Sequence, residues 1–171
     1  MFHTATSFAP IETPDAVILI LGSVPGLPSL DAQQYYAHPR NAFWPLIAQI
    51  LDVPLPQDYK SKINLVKGHK IALWDVLHHC QRSGSLDNKI KNTDIKANDF
   101  ETFFQNHPKI QSVYFNGAKA EAEFTKRVTP FLSEKYAKIR YLRLPSTSPA
   151  MAQMTREEKY QKWQILRPDL A

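Results

Sequence analysis

The side chains with most to offer chemically lie in one stretch, Gly22 to Trp44, which reads GSVPGLPSLDAQQYYAHPRNAFW. Gly22, Pro25 and Gly26 suit a tight turn whose backbone N–H groups face outward. Such turns hold phosphate or other anions, because glycine permits positive φ and lets the backbone come close. Ser23 and Val24 complete the turn, and on this pattern alone a plain strand exit fits as well. Tyr35 and Tyr36 offer flat faces for stacking a base. As loop neighbours, one is expected in the core and the other outside. His38 and Asn41 flank Pro39-Arg40: His38 is either a structural hydrogen-bonding residue or a contact residue. Asn41 is either a helix N-cap or a catalytic or reading residue.

Three more places add polar groups. Asp75 directly follows the apolar run KIALW, and Asn116 follows QSVYF, where its side chain can brace neighbouring loops. Ser146, Thr147 and Ser148, held between Pro145 and Pro149, put hydroxyl and N–H donors into a rigid turn of the kind that clamps phosphate. A plain hydroxyl-rich turn reads the same way. His78 and His79 are adjacent and do not share a helix face, so they make a poor metal pair; they and Asp87 suit solvated or structural roles. With neither a P-loop lysine nor G-x-G-x-x-G, nucleoside triphosphate and dinucleotide sites are disfavoured.

Around these residues, 171 positions are enough for one domain with a real core, taken as 1–171 with an irregular lead-in over 1–15. The formal charge of +5 and pI near 9.3 favour a polyanionic partner. Cys80 is the only cysteine, which excludes an intrachain disulfide and any four-cysteine zinc or iron–sulfur site; it reads as a small buried apolar residue. No apolar run approaches the roughly 18 residues of a membrane span. The N-terminus lacks the layout of a secretory signal, so a cytoplasmic location is expected.

The elements that must position the candidate residues follow from hydrophobic pattern. Four apolar runs read as strands: 16–21, 70–74, 111–115 and 138–144. Helices are expected from near Asn41 to before Pro54, over 57–67 with Gly68 as C-cap, from Asn98 to 106, over 118–128 and from Thr155 to the end. Asn98 with Glu101, and Thr155 with Glu158, resemble capping boxes. Strands alternating with helices argue for an α/β fold with a parallel sheet covered on both faces. Every loop of unusual composition follows a strand, the edge of such a sheet where ligands bind. The Asp75–Asn98 segment is expected to be one of those polar loops.

Taken together, GSVPGLPSL…YYAHPRNAFW, ALWDVLHHCQRSGSLD, YFNG and LPSTSPA resemble the DNA-deoxyinosine (hypoxanthine-DNA) glycosylases of the uracil-DNA glycosylase superfamily, over about residues 16 to 166. The resemblance implies a three-layer α/β/α sandwich around a four-stranded parallel sheet. It also implies monofunctional cleavage of an N-glycosidic bond in double-stranded DNA, with no metal or other cofactor; a monomer is expected. In it, Gly22, Ser23, Val24 and Pro25, with Tyr36, Asp75 and Phe43, face the base, and Tyr36 stacks on it. Val24 stands where mismatch-specific uracil glycosylases carry an asparagine, and valine neither orients nor deprotonates water. Asn41, in the HP-x-N segment, is then the catalytic residue: an amide can donate to a carbonyl and accept from a ring N–H. Gly26 and His38 contact DNA, as do Ser146, Thr147, Ser148 and Pro149, while Pro149, Ala150 and Met151 fill the hole left by the base. A uracil or mismatch glycosylase, and a damage-sensing DNA-binding protein without catalysis, are the alternatives.

Overall fold

The structure is a computed structural model describing residues 3–82 and 95–171. Asp87 and the side chain of Cys80 lie outside the described part. The strands are β1 (His3–Thr6), β2 (Ile18–Gly22), β3 (Ile71–Asp75), β4 (Leu77–Arg82), β5 (Lys96–Ala97), β6 (Ser112–Asn116) and β7 (Arg140–Leu144). The helices are α1 (Leu27–Ala32), α2 (Phe43–Ile50), α3 (Tyr59–Gly68), α4 (Phe100–Asn106), α5 (Ala118–Arg127), α6 (Arg156–Trp163) and α7 (Arg167–Leu170).

β3, β2, β6 and β7 lie side by side in that order, and each neighbouring pair is parallel. Their residues alternate between two apolar layers, as the period of two requires. Leu19, Leu21, Ala72, Val113 and Phe115 meet Phe100, Phe103 and Phe104 of α4 and Phe124 of α5. Ile18, Ile20, Ile71, Leu73 and Tyr114 meet Phe43, Leu46 and Ile47 of α2, Val66 of α3 and Trp163 of α6. β2 is buried along its whole length, which is why it reads as a continuous apolar run.

A second sheet makes the architecture mixed. β1 pairs antiparallel with β4, and β4 with β5. Two expectations are corrected here. Residues 1–15 are not simply irregular, because β1 lies in them and Ile11 bridges to Leu73. Residues 75–98 are not simply a polar loop, because β4 and β5 lie in that segment. Strand pairing supplied by partners far along the chain stabilises short polar segments that carry no period of their own.

Local chemistry sets the helix starts. α6 opens with the expected capping box of Thr155 and Glu158. α4 does not open on Asn98: Asp99 is its N-cap, accepting from the Thr102 N–H at 3.1 Å. Asn98 instead donates to the Asp75 carbonyl at 2.7 Å, and Glu101 accepts from Ser133. The long loop after β2 also contains α1, with proline in its first turn, as the missing proline N–H allows. Among the described residues no helix is long and apolar enough to cross a membrane.

Candidate active site

The C-terminal ends of the four parallel strands surround a cavity of about 970 Å³. Segments far apart in sequence converge on it: the turn after β2, the YYAHPRN stretch, Asp75, the β6 exit and the β7 exit. Of the residues singled out from sequence, Gly22, Ser23, Val24, Pro25, Gly26, Tyr36, His38, Asn41 and Asp75 line it, with Ser146 through Met151 opposite. Phe43 does not. Its side chain is wholly buried in the core, so the expectation that it faces a base is corrected. It stacks behind Tyr36 at 4.0 Å and orients that ring.

The two tyrosines divide as expected. Tyr35 is buried and donates its hydroxyl to the Ala9 carbonyl at 2.9 Å, and burial with the charge of Asp75 raises its phenol far above the usual range. Tyr36 lines the cavity from a left-handed backbone, φ 55°. That conformation is uncommon for a bulky residue and persists only where its surroundings hold it. Here the Phe43 stack holds the ring on one side of the residue, and on the other the Ala37 N–H donates to Ser29 Oγ at 3.2 Å.

Asp75 ends β3 with 4 % of its surface exposed and comes up beside Gly22. A Cβ at Gly22 would stand 2.7 Å from Asp75 Oδ1 and 3.4 Å from the Tyr36 hydroxyl. Glycine is therefore needed at 22 for the carboxylate to take this place. Val24 is nearly buried and apolar.

Asn41 is not the N-cap of α2; that position is Ala42. Asn41 Oδ1 accepts from the Phe43 N–H at 2.9 Å, which orients its amide NH2 as the donor offered by this side chain. The next peptide carries the link across the cavity, because the Ala42 N–H donates to the Thr147 carbonyl at 3.0 Å. His38 Nδ1 accepts from the Arg40 N–H at 3.0 Å, so its Nε2 carries the proton of the neutral ring.

Thr147 has a different task from the expected phosphate contact. It is 1 % exposed, its Oγ1 accepts from Asn116 Nδ2 at 2.9 Å, and its N–H donates to Asn116 Oδ1 at 2.9 Å. The Asn116 bracing read from sequence is this paired bond. Ser146 Oγ accepts from the Ser148 N–H at 3.1 Å, and Ser148 Oγ from the Ala150 N–H at 3.2 Å. A serine hydroxyl that accepts still has its own proton to donate. Gly117, at φ 102°, lets this loop approach, since a Cβ there would sit 3.1 Å from Ser146 Cβ. Two cations at the cavity are not among the candidate residues above, Arg40 on the rim and Lys119, which is paired with Glu123 at 2.9 Å. Their signal was present: Arg40 lies inside HPRN, and Lys119 follows the Asn116-Gly117 strand exit. Among the described residues no three His, Cys, Asp or Glu side chains are grouped to hold a metal.

A doubly covered parallel sheet with one composite cavity at its strand tips defines a class, and the uracil DNA glycosylase superfamily model matches residues 10–170. The solution structure of a Methanosarcina acetivorans protein, described as a candidate uracil DNA glycosylase, superposes with a TM-score of 0.82 at 31 % identity, covering 98 % of this chain and 99 % of that one. A hypoxanthine DNA glycosylase of Methanosarcina barkeri is 40 % identical over 114 residues, 66 % of this chain and 71 % of the relative. One from Methanosarcina acetivorans is 43 % identical over 105 residues, 60 % of this chain and 65 % of the relative. This chain belongs to the hypoxanthine DNA glycosylase family within the uracil DNA glycosylase superfamily.

Proposed function

We infer that this protein is a base-excision repair enzyme, a monofunctional DNA glycosylase that hydrolyses the N-glycosidic bond of a deaminated base, hypoxanthine, swung out of double-stranded DNA. The observation that carries the reading is the convergence of Tyr36, Asn41, Asp75 and the Ser146–Met151 loop on one cavity, in a chain of this family. A base inside a duplex must leave the stack before chemistry reaches it, and a mispaired base leaves at lower cost. Tyr36 supplies the platform for the extruded base. The Asn41 NH2 donates to the base carbonyl and the Asp75 carboxylate accepts from the neighbouring ring N–H. With Asn41 Oδ1 held by the Phe43 N–H, Asp75 is the acceptor assigned to the ring N–H. Adenine carries a donor where hypoxanthine has its carbonyl and a lone pair where it has its N–H, so both contacts turn repulsive.

In the reaction the C1′–N9 bond breaks, its electron pair leaves with the base, water oxygen bonds to C1′, and the proton that water gives up ends on the departed base. Charge developing on the base is met by the Asn41 donor held in place beforehand, the arrangement that contributes most to such steps. Val24 offers the water nothing. The Ser146 and Ser148 hydroxyls, the His38 Nε2–H and Arg40 take the phosphates, and Pro149, Ala150 and Met151 occupy the vacated stack. The enzyme is proposed to work as a cytoplasmic monomer on a four-stranded α/β/α scaffold of the superfamily type. The same carbonyl and N–H pair exists in uracil, so the test is a panel of single-lesion duplexes scored for abasic sites by hot alkali. Cleavage at deoxyinosine, exceeding that at uracil, is the expected result. Cleavage at uracil alone would reassign the substrate, and tight binding without any abasic product would leave only a damage sensor.

A further inference from the structure

Lys159 is a buried cation that nothing in the reaction above uses. It lies on α6 with 5 % of its surface exposed, and its Nζ donates to the Ser148 carbonyl at 3.3 Å. One helical turn on, Trp163 Nε1 donates to the Pro145 carbonyl at 2.9 Å. Residues four apart share a helix face, so α6 holds the Pro145–Ser148 segment from beneath with two donors, one neutral and one charged.

The charge is the unexplained part. The Ser148 carbonyl does not need it, because the Met151 N–H already donates there at 3.0 Å. An ammonium has three protons and this one has a single carbonyl partner among the described residues, with no carboxylate paired to it. Burying a cation so poorly compensated is unfavourable to folding, and desolvation holds the Lys159 ammonium below the usual lysine range. A neutral donor such as glutamine would make the same bond without that penalty. What the charge adds is positive potential beside Ser148, which with Ser146 lines the cavity.

We propose that Lys159 is a positioning residue for DNA binding: its ammonium, buried beneath the Ser146–Met151 loop, is compensated by a backbone phosphate of the duplex when that phosphate docks on Ser146 and Ser148. This rests on the glycosylase reading. The free protein tolerates an unfavourable charge, and the complex is stabilised by it. Each neutralised phosphate contributes a release of counterions, so a single effective charge has a defined signature in salt.

The experiment compares wild type with Lys159→Met and Lys159→Arg in the full chain, using a duplex with one deoxyinosine. Thermal unfolding, duplex affinity over a range of salt, and single-turnover excision at saturating enzyme are measured. For Lys159→Met the midpoint of unfolding rises, affinity near 100 mM salt falls about tenfold, and the slope of log K against log salt becomes shallower by about 0.9. Excision at saturation changes less than about threefold, because the flipped base still meets Tyr36, Asn41 and Asp75. Lys159→Arg keeps the wild-type slope. A lower unfolding midpoint or failure of Lys159→Met to fold, or an unchanged salt slope, would make Lys159 a packing residue and overturn the proposal. Those results leave wild-type excision intact, whereas absence of excision by wild type would refute the underlying reading instead.

Discussion

The two ends of the parallel sheet handle polar groups in opposite ways. At the end where β7 begins, Arg140 donates to the Tyr114 hydroxyl and to Asp169 Oδ2, each at 2.8 Å, and Tyr114 donates to the same Asp169 oxygen at 2.5 Å. That cluster is closed on itself and fastens the C-terminal helix α7 to the sheet. At the other end the groups are oriented by neighbours yet keep capacity for a ligand. Asn41, Ser146 and Ser148 line that cavity with one acceptor each held by a backbone N–H, and Lys159 donates to the loop bounding it. Placement of this kind is what a catalytic site requires, and a site fixed beforehand loses no energy in reorganising during the reaction. On the proposed reading, stability and activity are concentrated at opposite ends of one sheet.

This separation can be broken from either side. After Asn41→Ala, taken up last, the largest effect is expected from Asp75→Ala, which should lower single-turnover excision of deoxyinosine by about 100-fold. Asp75→Asn should recover part of that loss, because an amide oxygen still accepts a ring N–H; equal rates for the two variants would remove Asp75 from base recognition. Next, Asp169→Ala at the closed end should reduce stability by about 2 kcal/mol in urea unfolding, leaving excision per folded molecule unchanged. A loss of activity beyond the unfolded fraction would show that the ends are coupled. Gly22→Ala should lower excision about tenfold with a smaller stability loss, since the new methyl drives the Asp75 carboxylate out of place.

The smallest effect is one of pH. Burial, with Asp169 beside it and Arg140 opposing, pushes the Tyr114 phenol up to about 12 from its ordinary value. A group whose pKa is higher in the folded state adds stability that is complete below its unfolded value and fades as pH climbs through the folded one. Unfolding midpoints should therefore decline more steeply between pH 10 and 12 in wild type than in Tyr114→Phe. Parallel curves would contradict the assignment.

What was legible in the sequence followed from strong local signals. Continuous apolar runs marked β2, β3 and β6, glycine and proline marked their exits, and those exits are where the cavity lies. Features made by distant partners were not legible. β1 and β4 exist because they pair with each other across more than seventy residues of chain. Thr147 reads as a free hydroxyl because the sequence offers Asn116 as a brace without saying which residue, thirty-one positions away, it holds. Phe43 and Tyr36 are both aromatic in a promising stretch, and only the packing of α2 shows that one backs the other. Lys159 reads as an ordinary surface lysine in a charged helix, since burial by a returning loop leaves no periodic trace.

The Asn41 amide, at the open end of the sheet, is proposed to act in breaking the glycosidic bond. That role is tested most directly by single-turnover excision of deoxyinosine from a duplex by Asn41→Ala, with its thermal unfolding measured alongside. Excision should fall at least about 100-fold while the unfolding midpoint stays close to that of wild type. Wild-type excision by a folded Asn41→Ala protein would contradict it.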